Sequence, residues 1–88
     1  MLYSYVTLDD GTQFAYSKLQ DDGTVRIGIE RPVDMGFDSA QCVLPAYIWS
    51  NVDGFSESEI RDFKTFLSNN APLIFELAER AGHSRAAA

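Results

Sequence analysis

The tetrapeptide Asp9-Asp10-Gly11-Thr12 returns as Asp21-Asp22-Gly23-Thr24, twelve residues later. Each copy stands between stretches rich in aromatic and β-branched residues, the pattern of a tight turn joining two strands. Gly11 and Gly23 supply the positive φ that such turns need, with no Cβ penalty. A spacing this short is no solenoid unit. The repeat reads as one turn used twice, and it predicts antiparallel strands near 2–8, 13–20 and 24–31.

The turn type decides which side chains share a face, because a one-residue slip exchanges the two faces. With two-residue Asp-Gly loops, Tyr5 stands opposite Tyr16 and Tyr16 opposite Ile29, with Tyr3, Lys18 and Ile27 in the next row. One face then gathers Tyr3, Tyr5, Phe14, Tyr16, Val25, Ile27 and Ile29. The other holds Ser4, Gln13, Ser17, Arg26, Gly28 and Glu30, with Leu2, Val6, Leu8, Ala15 and Leu19 as apolar exceptions. Three-residue Asp-Asp-Gly loops with a bulge would instead set Tyr16 beside Ser4 and Gly28. That would divide the aromatics from the Val25-Ile27-Ile29 stripe. A sheet must bury one face, so the two-residue register is the expectation.

Residues 31–38 read as a loop, since Pro32 lacks a ladder donor and Gly36 adds a second break. A fourth strand is expected over 39–48, running past Pro45 as a kink or edge bulge. In the alternative, 46–54 packs as a loop on the sheet end. From Phe55 the apolar period changes to about 3.6. Ser56 and Glu59 form a capping box, with Phe55 and Ile60 as its hydrophobic staple. Ile60, Phe63 and Leu67 make one stripe, with Phe66 on its border, and predict a helix over 57–68. Asn69-Asn70-Ala71-Pro72 reads as a break. A second helix, 71–81, carries Leu73, Ile74, Leu77, Ala78 and Ala81 and stops at Gly82. The expected architecture is α+β: a four-stranded antiparallel meander followed by two short C-terminal helices packed on one sheet face. One domain spans 1–82, and 83–88 form a frayed tail.

With 45% apolar residues, the 88-residue chain is expected to be ordered. No apolar run approaches the roughly 18 residues that span a bilayer. The opening Met1–Asp10 has no basic residue and is unlike a signal peptide, so the expected compartment is the cytoplasm. Net charge is −6, and the basic residues are scattered, which disfavours binding to nucleic acid or anionic membrane. A basic protein partner suits that charge, and plain solubility accounts for it equally well.

Chemistry-bearing patterns are sparse. The single cysteine, Cys42, excludes an internal disulfide and lies in an apolar stretch, as a buried hydrophobe would. The single histidine, His83, follows Gly82 in a small-residue tail and does not pair with Cys42 as a general base. The acidic turns lack the spacing of a calcium loop, and a meander puts them at opposite ends of the sheet. Isolated glycines give no phosphate loop. No catalytic residue, cofactor or metal is implied.

Aromatic residues are the remaining unusual feature. Tyr47, Ile48 and Trp49 cluster beside Pro45 at an exposed sheet end and are candidate partner contacts. Phe75 lies off its helical stripe. Val6 and Leu19, with Leu2 and Leu8, fall on the less apolar sheet face. Leu2, Val6, Leu8, Leu19 and Phe75 together predict a patch, separate from Tyr47-Ile48-Trp49, that a second copy or a small partner protein covers. The alternative is a small-ligand binder or enzyme, with a pocket between sheet and helices lined by Tyr3, Tyr5, Tyr16 or Trp49 and a converging carboxylate.

Three segments, Gly36-Phe37-Asp38-Ser39-Ala40-Gln41-Cys42-Val43-Leu44-Pro45, Gly54-Phe55-Ser56-Glu57-Ser58-Glu59-Ile60 and Asn70-Ala71-Pro72-Leu73-Ile74, resemble a group of short uncharacterised bacterial proteins. The likeness covers most of the chain after residue 10. It implies a bacterial cytoplasmic protein and brings no activity or site residue. Some of that group are encoded beside other very small genes, which implies an antitoxin-like role among the protein-binding ones.

Overall fold

The computed structural model describes residues 1–83. It contains five strands, β1 (Tyr3–Thr7), β2 (Gln13–Tyr16), β3 (Val25–Val33), β4 (Gly36–Leu44) and β5 (Ile48–Asp53), and one helix, α1 (Glu57–His83). The strands form one antiparallel meander in the order β1-β2-β3-β4-β5. The α+β architecture, sheet first and helix last, is therefore as expected. Its counts are not: there are five strands and one helix, where four strands and two helices were predicted. The expected frayed tail lies outside the described residues apart from His83, which is still helical, so the helix runs through the stop expected at Gly82. Among the described residues, no helix is long and apolar enough to cross a membrane.

Both Asp-Asp-Gly-Thr copies form three-residue loops. Gly11 N–H donates to the Leu8 carbonyl (2.9 Å) and Leu8 N–H to that of Thr12 (2.7 Å). Gly23 and Gln20 repeat this toward Gln20 and Thr24, at 2.9 and 2.8 Å. Gly11 and Gly23 take φ of 89° and 82°. The two-residue register is thus wrong. Tyr16 stands opposite Tyr3 and Ile27.

An extra residue in each hairpin compensates for the odd loop. In β1, Tyr5 is inserted between the pairs Ser4–Ala15 and Val6–Phe14. After β2, one residue more separates Ser17 from Gln20 than separates Arg26 from Thr24. The Ser17 hydroxyl accepts the Arg26 amide at 2.9 Å, so the ladder stays satisfied across the irregularity. The shifts cancel, and Phe14, Tyr16, Val25, Ile27 and Ile29 share one buried face. Val6, opposite Phe14, joins that face and not the less apolar one.

Residues 31–38 are a hairpin, not a loop. Val33 pairs with Gly36 around a two-residue turn, Asp34-Met35. Pro32 is accommodated because β2 ends at the Gln13–Glu30 pair, which leaves this stretch of β3 with a free edge. Nor does β4 run on to residue 48. The chain reverses at Pro45–Tyr47, and Ile48–Asp53 pairs back on β4 as β5. Tyr47 adopts φ of 59°, which closes that turn.

The helix starts as its capping box requires. Ser56 N–H donates to the Glu59 carboxylate (3.0 Å), and Glu59 N–H donates to the Ser56 hydroxyl (3.1 Å). It does not break at Asn69–Pro72. Phe63, Leu67, Ile74 and Ala78 are all buried, and at about 100° per residue they fall within about 60° of one another. One continuous face on the sheet outweighs the hydrogen bond that Pro72 cannot make. Leu73, expected on that face, is exposed instead. Asn70 accepts the Tyr5 hydroxyl (2.6 Å), and Leu19 N–H donates to the Ala78 carbonyl (3.0 Å), which ties both halves of the helix to the sheet.

The core lies between helix and sheet. Phe14 meets Phe63 edge-on at 5.4 Å and Phe66 at 4.8 Å, and Phe55 meets Phe63 at 5.0 Å. Leu67, Ile74, Ile29 and Leu44 close it. Cys42 belongs to this layer, and burial pushes its thiol up to about 11. At neutral pH the thiol is protonated, and Cys42 packs as the buried hydrophobe that its apolar stretch predicts.

Candidate partner-binding surface

Turn 8–12, the β3–β4 hairpin, the end of β5 and the start of α1 meet at one end of the molecule. Arg31 holds them together. Its guanidinium donates to Asp38 through Nε (3.0 Å) and Nη2 (2.6 Å), and through Nη1 to Glu59. Asp10 lies 3.9 Å away, and the Phe55 ring sits 4.8 Å beneath the guanidinium carbon. Hydrogen bonds to Glu59 and Asp38 raise the Arg31 pKa. Arg31, then the Ser56 amide, hold the Glu59 carboxyl below its ordinary value. Gly54 (φ 93°) is required here, since a Cβ would collide with the Asp38 carboxyl. These carboxylates are occupied as joints and helix caps. No group of three metal-ligating side chains occurs among the described residues.

Beyond this joint the β3–β4 hairpin projects past both neighbouring strands, since β2 stops opposite Glu30 and β5 opposite Ser39. Its tip carries Val33 (44% exposed), Met35 (fully exposed) and Phe37 (62% exposed). Met35 is held at φ of 67°, in a turn position that favours Gly, Asn or Asp. Charge is polarised toward the same end. Asp9, Asp10, Glu30, Asp34 and Asp38 lie there, with Asp53 and then Glu57, Glu59 and Asp62 in the first helical turns. Among the described residues Arg31, Arg61 and Lys64 are the basic residues set against these nine, Lys64 in the same helical turn as Asp62. Elsewhere Asp21, Asp22, Glu76 and Glu79 stand with Lys18, Arg26 and Arg80.

The six residues predicted as contacts are not brought together. Val6 is on β1 and Tyr47-Ile48-Trp49 at the start of β5, on opposite edges of the sheet. Val6, Leu19, Tyr47, Trp49 and Phe75 are each partly buried against the core. Tyr47 also has the Lys64 ammonium 5.4 Å from its ring centre. Ile48 alone of the six is an open apolar surface, at 60%. Val33, Met35 and Phe37 were missed by sequence reasoning. Their signal was the spacing of Arg31 and Asp38, which lets two opposite charges pair across a hairpin.

Both sheet edges carry a bulge, at Tyr5 in β1 and at Asn51-Val52 in β5, where Asn51 takes φ of 51°. Bulges of this kind twist an edge away from strand addition. On the face opposite the helix lies an open groove of about 870 Å³, with Arg26, Gly28, Gln41, Val43 and Ser50 on its floor. Leu2 folds over Gly28, where a Cβ would come within 2.8 Å of it. This groove is not the pocket expected between sheet and helices, and of the four aromatics expected to line that pocket only Tyr3 borders it. Comparison with protein-family models, with curated proteins and with solved structures gives no match for the chain.

Proposed function

We propose that this chain is a non-enzymatic protein-interaction domain, pairing with a small partner protein or with a second copy of itself through apolar residues that its own core leaves out. The observation that carries this reading is the projecting β3–β4 hairpin, with Val33, Met35 and Phe37 exposed at its tip. Apolar side chains left this exposed at one projecting tip suit a contact surface better than a lone monomer. The bulged edges support contact through side chains over pairing by strand addition. The tied carboxylates around Arg31 and the buried Cys42 thiol support a binding role over a catalytic one.

Sedimentation velocity over a concentration range, together with affinity purification from the native host and mass spectrometry, tests the proposal. A saturable complex that Met35→Ser or Phe37→Ser weakens is the expected result. A strict monomer at high concentration that brings down no stoichiometric partner ends it.

A further inference from the structure

We infer that the partner is a basic protein segment carrying an apolar side chain, and that it docks on the tip of the β3–β4 hairpin. The inference rests on the protein-interaction reading above and adds the chemistry of the partner. Met35 is the first reason. It occupies a left-handed position that a methionine enters only at a cost, and it is fully exposed, so nothing inside the chain compensates. A residue that breaks its local rule with no internal gain points to a gain outside the molecule. Methionine also suits a contact that must adapt to another surface, because its flexible, polarisable side chain fills irregular gaps. Phe37, paired opposite Pro32, adds a rigid apolar ring to the same tip.

Charge selects the occupant. Asp34 is the neighbour of Met35 in the turn, and Asp38, Asp53, Asp10 and Glu59 lie behind it on the elements that meet at Arg31. Arg31 already offsets Asp38 and Glu59, which leaves Asp34 and the other carboxylates of this end to attract a visitor. A second copy docking tip to tip would bring two such ends together, and like charges brought face to face oppose association. A Lys- or Arg-rich segment is drawn to this end instead, and its apolar side chain finds Met35 beside Asp34, with Phe37 on the hairpin face away from the Arg31–Asp38 pair.

The test is an NMR titration of the full chain with three synthetic amphipathic peptides of one pattern, Lys/Leu, Gln/Leu and Glu/Leu. The Lys/Leu peptide is expected to shift resonances of residues 33–37 first, and to bind more weakly as salt is raised. Met35→Ser and Phe37→Ser, both at exposed positions, should each lower its affinity about fivefold or more with the rest of the spectrum intact. Equal binding to parent and variants overturns the inference, as do shifts at Asp21 and Asp22 as large as those at the tip. If the Gln/Leu or Glu/Leu peptide binds the tip as tightly, the basic partner is wrong and the interaction reading stands. Tip shifts that grow with protein concentration alone make a second copy the occupant, with the same consequence. If no peptide moves the tip, the inference fails, and co-purification alone decides the wider proposal.

Discussion

The two Asp-Asp-Gly-Thr turns are a controlled experiment within one chain. Their backbones match: the same three-residue loop, the same pair of carbonyl bonds, and a glycine at nearly the same φ. In each, the second Asp accepts the Thr amide, at 2.9 Å for Asp10 and 3.0 Å for Asp22. Their surroundings differ. Thr12 is fully buried and Thr24 only partly. A Cβ on Gly11 would lie 3.4 Å from the Pro32 ring, whereas one on Gly23 meets nothing within 4 Å. Asp10 faces Arg31, while Asp22 takes a further bond from the Thr24 hydroxyl at 2.6 Å. Four residues are enough to specify the turn. What a change in them costs is set by the rest of the fold.

The largest contrast is expected at the threonines. Thr12→Asp puts a second carboxylate into a buried site beside Asp10 and should lose about 3 kcal/mol or more. Thr24→Asp, at the open turn, should lose less than about 1 kcal/mol. Urea melts giving equal losses would mean that the first turn is as exposed as the second. The glycines come next. Both alanine variants must hold positive φ, and each should lose about 1 kcal/mol, with Gly11→Ala the worse by a few tenths because of Pro32. A reversed order would break the comparison.

The smallest effect is in titration. Hydrogen bonds from Thr12 and Thr24 hold Asp10 and Asp22 below the ordinary carboxylate value. Each therefore stabilises the fold above about pH 4, the unfolded value, and that contribution disappears as pH falls through the lower folded value. Carboxyl carbon titrations by NMR should place both midpoints below that of a free Asp. In Thr24→Ala the Asp22 midpoint should rise while that of Asp10 stays in place.

Much of the fold was legible, and the turns show where legibility stops. Apolar alternation reports parity: it says which side chains face the core. A two-residue loop and a three-residue loop with one inserted residue have the same parity. The core face of β2 and β3 could therefore be read correctly while the partner of Tyr16 could not. Val6 was misplaced for the same reason, since the Tyr5 bulge lies between it and Tyr3. Two of the three prolines misled as false breaks. Pro32 and Pro72 were read as breaks, and both sit inside elements, one beyond the reach of the next strand and one under a stripe whose phase runs on from Leu67 to Ile74. The capping box was local in both sequence and structure, and it was placed correctly. The candidate surface was mostly illegible because its tip fell in the stretch read as a loop.

The order of elements along the chain also has a consequence in time. All five strands precede the helix that covers them. Until that helix is made and docked, the face bearing Phe14, Ile27, Ile29 and Leu44 has no lid, while the meander, built from neighbouring hairpins, can pair within far less than a second. A nascent sheet in that condition is most vulnerable at its edges, where another unfinished chain could add a strand. The irregularities at Tyr5 and Asn51 are in place before the lid is, and they protect the intermediate at least as much as the finished protein.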